Sequence, residues 1–433
     1  MSVNNDCFGV ELHTHLDGSI PANVIYNAAK RRDIALPPNV KTANDLKEYI
    51  SCVDMCNNLE EFLEKFYFFL PIIAGDKTAI NELCLEYCKL QYNNKVYYTE
   101  TRFCPQLLSD DNITTEQVLQ IVLNGLQLGC EKYGIKMNVI LCLMRHWKGD
   151  EQITLSDETI KLALKYKNYG TVNVCGIDFA GSEKASTSKD GWGKIFKNIH
   201  DKGIYITIHA GEQGSYNNIY DAIENLYADR VGHGYAAIQN IDCMKLLKKN
   251  KIHVECCPIS SWKLNSFKYV NSKYNNGKRI LNEFHPIVAL NENGVSLSIN
   301  SDDPVVLDCS YLQDIAMVEN KLKVSKETIA SMIIDGAKNS FIHDNDKKEA
   351  LIIEVQKRVY KHYLGLNLAG ISDDNDVKTN DDEIEIYKNN YNKRKVAVEN
   401  EQKIKDNMET AVGIGAVVVG VILSALMYKK YKK

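Results

Sequence analysis

The sequence predicts an α/β fold: a (β/α)8 TIM barrel with extra helices after its first strand, then a C-terminal charged stalk and a single transmembrane helix. Three observations predict it. Eight short apolar runs recur along residues 1–370. Stretches with helical spacing separate most of them. The unusual polar residues collect at the C-terminal ends of the runs, the end where barrel enzymes carry their chemistry.

The runs lie near Phe8–His15, Val96–Phe103, Met137–Met144, Val174–Phe179, Ile204–His209, Arg230–His233, His253–Cys256 and Val295–Asn300. Strands alternating with helices argue for a parallel sheet. Ile219, Ala222, Ile223 and Leu226 show the helical spacing between two such runs. The largest insertion follows the first run and contains an apolar-faced helix over Leu59–Phe66. The 13 cysteines are irregularly spaced without a CxxC pair, so they are expected to be reduced and mostly buried.

Composition narrows the function. The chain has 433 residues, 45% of them hydrophobic and 25% charged, which excludes a mostly disordered chain and a polytopic membrane protein. The net charge of −4 carries no electrostatic footprint for nucleic acid.

The two ends differ. The start, MSVNNDCFGVELHTH, has neither a basic nor an apolar signal region, so a secretory signal is not expected. Residues 371–409 read as a charged linker, with Asp373, Asp374, Asp376, Asp381, Asp382, Glu383 and Glu385 forming an acidic stretch. Residues 410–428 form an uncharged apolar run long enough to cross a bilayer. Residues 429–433 are a short basic tail. The expectation is a tail anchor in the mitochondrial outer membrane or the endoplasmic reticulum, with the catalytic domain, residues 1–370, in the cytosol. The terminal lysines pull the other way under the positive-inside rule. Oligomeric state cannot be read from the sequence.

His13 and His15 are two apart, and on a strand such residues face the same way, so both imidazoles reach one ion. His209 ends another run and adds a third nitrogen; Asp302 ends the last run and adds an oxygen. Three histidines and one carboxylate suit zinc, with a position left for water. Glu212, three residues beyond His209, is placed to face a substrate without ligating metal. His233 lies between Gly232 and Gly234, which permit close approach, and Asp303 neighbours Asp302. Zinc-activated water with a protonated carboxylic acid nearby describes a zinc-dependent hydrolase.

These segments resemble the adenosine deaminase family of metal-dependent hydrolases. The motifs are VELHTHLDGSI, TRFCPQLL, CLMRHWKG, CGIDFAGSE, IHAGEQGS, DRVGHGYA, VECCPISS and SINSDDPV, in the family's order over about residues 8–345. The resemblance implies hydrolysis of the 6-amino group of adenosine and 2′-deoxyadenosine, with release of ammonia, in purine salvage. It implies one zinc ion per chain, held by His13, His15, His209 and Asp302. Glu212 would donate a proton to purine N1, and His233 would orient and deprotonate water. His15, Asp17, Gly181 and Asp303 would meet the substrate: Asp17 at the 5′-hydroxyl, the Gly181 N–H at N3, Asp303 at N7. Phe62 and Phe66 would form part of an apolar lid. The chain departs from the family at Ser182, Gln106 and Cys257, none of them an implied ligand. The competing readings are a related aminohydrolase acting on adenine or a modified adenine nucleoside or nucleotide, and a non-catalytic nucleoside-binding membrane protein.

Overall fold

The computed structural model describes residues 5–52, 59–266 and 285–365, together with the backbone of 274–275 and 278–279. The stalk (371–409), the apolar run (410–428) and the basic tail (429–433) lie outside the described residues. Among the described residues, no helix is long and apolar enough to cross a membrane.

Eight parallel strands form a nearly closed barrel in sequence order. They are β1 (Gly9–His15), β2 (Val96–Phe103), β3 (Lys136–Met144), β4 (Val174–Ala180), β5 (Tyr205–Ala210), β6 (Arg230–His233), β7 (His253–Cys256) and β8 (Leu297–Ile299). Each of the eight expected runs coincides with a strand: three match end for end, and the other five differ by one or two residues at one end or both. Among its described residues, the insertion after β1 holds four α-helices: α1 (Ala22–Arg31), α2 (Ala43–Ile50), α3 (Leu59–Ile73) and α4 (Lys77–Asn93). Local signals start and stop the helices. Thr42 and Asp45 form a capping box on α2, and Asp76 accepts from two N–H groups at the start of α4. The helix holding Ile219, Ala222 and Ile223 runs Tyr216–Glu224; Leu226 lies just beyond its end and is buried with Ile219 and Ala222.

The seam between β1 and β8 positions the site. A single parallel bridge, Thr14 to Asp302, joins them. There the His15 N–H donates to the Asp302 carbonyl at 2.7 Å, and the Asp302 N–H donates to the His13 carbonyl at 3.0 Å. Below it, the Asn300 side chain replaces the missing strand partner: its Oδ1 accepts from the N–H of Leu12 at 2.7 Å and of His13 at 3.2 Å. Closing the barrel therefore brings three predicted site residues together in one act.

The barrel interior carries charge as well as apolar side chains. Arg230 donates to Glu100 and to Glu255, both at 2.6 Å. Arg102 donates to Glu255 at 2.8 Å and stands 3.3 Å from Asp178. All five side chains are buried. Such a network persists only when every charge is paired, because an orphaned buried charge costs about 3–5 kcal/mol.

The cysteines depart from expectation at one position. Among the described residues, eleven are free and buried, but Cys52 is disulfide-bonded. A disulfide depends on three-dimensional approach, which irregular spacing does not reveal.

Candidate active site

The predicted site residues converge on the C-terminal mouth of the barrel. They line a cavity of about 480 Å³ that includes His15, Asp17, Gly181, His209, Glu212, His233, Asp302 and Asp303. His13 lies behind this surface, fully buried. The apolar wall comes from α3, which contributes Phe62 and Phe66, and their rings pack edge-on at 5.3 Å.

Two histidines are oriented from behind. Nδ1 of His13 is 2.7 Å from Glu255, and Nδ1 of His209 is 2.9 Å from Asp178. Carboxylates at Nδ1 leave both Nε2 atoms facing forward, the arrangement that fixes metal-binding imidazoles. Burial alone would raise the Glu255 carboxyl, but Arg102 and Arg230 hold it well below the usual range, so it stays ionised. Ser260 donates to Oδ2 of Asp302 at 2.6 Å. Oδ1 then faces Nε2 of His13 at 3.3 Å and Nε2 of His15 at 3.5 Å. Nε2 of His15 is 3.2 Å from Nε2 of His209.

These residues fit a metal ion. Neighbouring donors around a tetrahedral ion with bonds of about 2.1 Å stand about 3.4 Å apart, close to the three separations just given. Nε2 of His13 is buried without a hydrogen-bond partner. Two donor groupings overlap at Asp302: His13, His209 and His233 with Asp302, and His15 and Asp303 with Asp302. His15 makes the shorter approaches, at 3.2 and 3.5 Å. Nε2 of His233 instead stands 3.9 Å from Glu212, and its Nδ1 is buried without a partner.

Small residues and unusual backbone make room for this crowding. A Cβ on Gly232 would sit 2.7 Å from the His13 ring, and one on Gly18 would overlap the Asp303 carboxyl. His233 and Asp302 both adopt positive φ, +63° and +65°, conformations that ordinary residues keep only where surrounding structure enforces them.

Electrostatics separates the carboxyls. Burial pushes Glu212 well above the usual range, and the nearby Asp302, Glu183 and Glu60 push the same way. Burial raises Asp303 as well, reinforced by Asp302, Asp17 and Glu212. Asp17 is pushed up to about 7 by burial. Asp302 goes down despite its burial, because His13, whose Nε2 lies 3.3 Å from its Oδ1, and the surrounding imidazoles favour its charge. The mouth thus pushes two carboxyls apart, favouring the charged form of Asp302 and the protonated form of Glu212.

Sequence reasoning missed the residues behind the site: Glu255, Asp178, Arg102, Ser260 and Glu183. Their signal was available in part, as charged residues at alternate positions of otherwise apolar strands.

A buried cluster of histidines and aspartate at the mouth of a parallel barrel defines a metal-dependent hydrolase. A family model described as adenosine deaminase matches residues 9–358. Adenosine deaminase of Bos taurus is 32% identical over 368 residues, spanning 82% of this chain and 94% of that protein. The adenine deaminase of Arthrobacter aurescens shares the fold with a TM-score of 0.69 at 20% identity, covering 82% of this chain and 99% of that one. A zinc-bound amidohydrolase from Burkholderia ambifaria does so with a TM-score of 0.69 at 18% identity, covering 83% of this chain and 93% of that one. The chain belongs to the adenosine deaminase family and is an aminohydrolase enzyme.

Proposed function

We propose that the enzyme hydrolyses the 6-amino group of adenosine and 2′-deoxyadenosine, giving inosine and 2′-deoxyinosine with release of ammonia. The observation that carries this reading is a buried Glu212 facing the same cavity as the histidine and aspartate cluster, where burial and neighbouring carboxyls raise its pKa. Water adds to purine C6 only if ring nitrogen N1 takes up the displaced electrons. An acid held protonated at neutral pH meets that need.

His13, His15, His209 and Asp302 would hold one zinc ion. Zinc bound there lowers the pKa of water toward neutrality. Glu212 donates its proton to N1. His233, facing Glu212 from β6, orients the water and accepts its proton. A C6–O bond forms, His233 returns its proton to the amine, the C6–N6 bond breaks with loss of ammonia, and the C6 hydroxyl proton passes to Glu212, leaving C6=O with the N1 proton in place. Asp303, kept protonated, donates to N7, which an ionised carboxylate would repel. The Gly181 N–H donates to N3. Asp17 accepts from the 5′-hydroxyl. Phe62 and Phe66 cover the purine and exclude water.

Charge favours a nucleoside over a nucleotide. Among the described residues, no lysine or arginine lines the cavity, whereas the carboxyls of Asp17 and Asp302 do. A 5′-phosphate would find no cation there and would approach Asp17. Parallel ultraviolet assays with adenosine, AMP and adenine test the reading: adenosine should be turned over fastest, and a preference for AMP or adenine would overturn it.

We also propose that residues 410–428 tether the enzyme to a membrane, on the strength of their uncharged apolar run. The full chain should sediment with membranes and a 1–405 truncation should not. Equal solubility of the two would refute the tether.

A further inference from the structure

Glu183 follows Gly181 and Ser182 in the loop leaving β4, and it is buried. Its Oε1 accepts from the backbone N–H groups of Glu212 at 2.8 Å, Gln213 at 3.0 Å and Gly214 at 3.1 Å. Its Oε2 accepts from the Gly211 N–H at 2.8 Å and the Asn218 amide at 2.7 Å. One carboxylate thus satisfies four consecutive N–H groups of the loop leaving β5. Convergent donors of this kind make an anion cradle. Here the anion belongs to the neighbouring loop. The fit is close, since a Cβ on Gly214 would stand 2.7 Å from Glu183 Oε2.

The two loops so joined carry different functional groups. The first presents the backbone of Gly181 to the cavity, at φ +97°. The second presents Glu212. Glu183 itself does not line the cavity. Arg145 braces the same region from β3, donating to the His209 carbonyl at 2.7 Å and the Ser186 carbonyl at 2.9 Å. The Glu183 charge in turn favours the charged form of Arg145.

We infer that Glu183 is a positioning residue that sets the spacing between the Glu212 acid and the Gly181 N–H. This rests on the proposed function. In that reading the two groups address N1 and N3 of one rigid ring, so their separation must match the ring. A carboxylate is required because a glutamine would turn an NH2 group toward backbone donors. An aspartate would keep the charge but fall short by one methylene.

The test uses full-length Glu183→Gln and Glu183→Asp, each alone, with Glu183→Gln also combined with Glu212→Gln. Metal content, melting temperature, kcat and KM for adenosine are measured, with residual rates taken in single turnover. Glu183→Gln should keep its metal and its KM while kcat falls about 100-fold, the scale of a 1 Å misplacement. Added to Glu212→Gln, it should cost nothing further, because the acid it places is already gone. A merely structural role would lower the melting temperature and multiply the two losses, which would overturn the inference. If Glu183→Gln fails to fold, Glu183→Asp decides: kcat should fall by about 10-fold or more with metal retained, and a wild-type kcat refutes the claim. A wild-type chain without adenosine turnover would instead sink the proposed function, and this inference with it.

Discussion

Nδ1 of His13 and Oε2 of Glu255 stand 2.7 Å apart, and neither side chain has any exposure to solvent. Glu255 also accepts from Arg102, Arg230 and Thr207. The carboxylate that orients the histidine is therefore also the hub of the barrel's interior charges. In the proposed metal site, metal affinity and fold stability would share one residue. Replacing Glu255 with Gln should weaken metal binding by about 10–100-fold. It should also lower the melting temperature, since Arg102 and Arg230 each lose a charged partner. Competition with a chelator measures the first effect and a thermal scan the second.

Replacing Glu212 with Gln keeps the shape of the side chain and removes the acid. Turnover of adenosine should fall by about 10²–10⁴-fold, the range for a lost general acid. Metal content should be unchanged, because Glu212 is not among the converging donors. A fully active variant would remove Glu212 from the mechanism.

In the proposed reading Asp17 governs the region where a 5′ substituent would lie, and its Oδ1 is buried without a hydrogen-bond partner. Replacing Asp17 with Asn should slow adenosine turnover and narrow the gap between adenosine and AMP. Comparing kcat/KM for the two substrates in wild type and variant checks this, and an unchanged ratio would contradict it.

Stability should fall on acidification for a reason separate from catalysis. His253 and His285 are buried, and burial lowers both to about 3. Their folded pKa values lie below the unfolded value of about 6.5, so the unfolded chain binds more protons between these limits. The stability they confer is complete above about pH 6.5 and is lost as pH falls toward 3. Urea midpoints measured across that window should drop, and His253→Gln should flatten the slope. An unchanged slope would show that His253 titrates normally in the folded protein.

The mouth of the barrel was legible because its chemistry is concentrated in short segments. His13 and His15 share a strand face by periodicity alone, and His209, Glu212, His233 and Asp302 each end or follow an apolar run. What lay behind the mouth was not. Glu100, Arg102, Asp178, Arg230 and Glu255 sit on four different strands, and each is tolerable in the core only because of the others. No local pattern states that pairing, although Glu100 and Arg102, two apart in VYYTETRF, hint that β2 turns charge inward. Glu183 was hidden for the same reason, since its partners lie some thirty residues away. The barrel seam was also unreadable, because it relies on the Asn300 side chain in place of a longer strand.

The most direct test of the account is a zinc titration into metal-free full-length enzyme, following adenosine absorbance. The account predicts no turnover without metal and a linear rise that breaks at one zinc per chain. Undiminished turnover by the metal-free protein, or none after one zinc is bound, would contradict it.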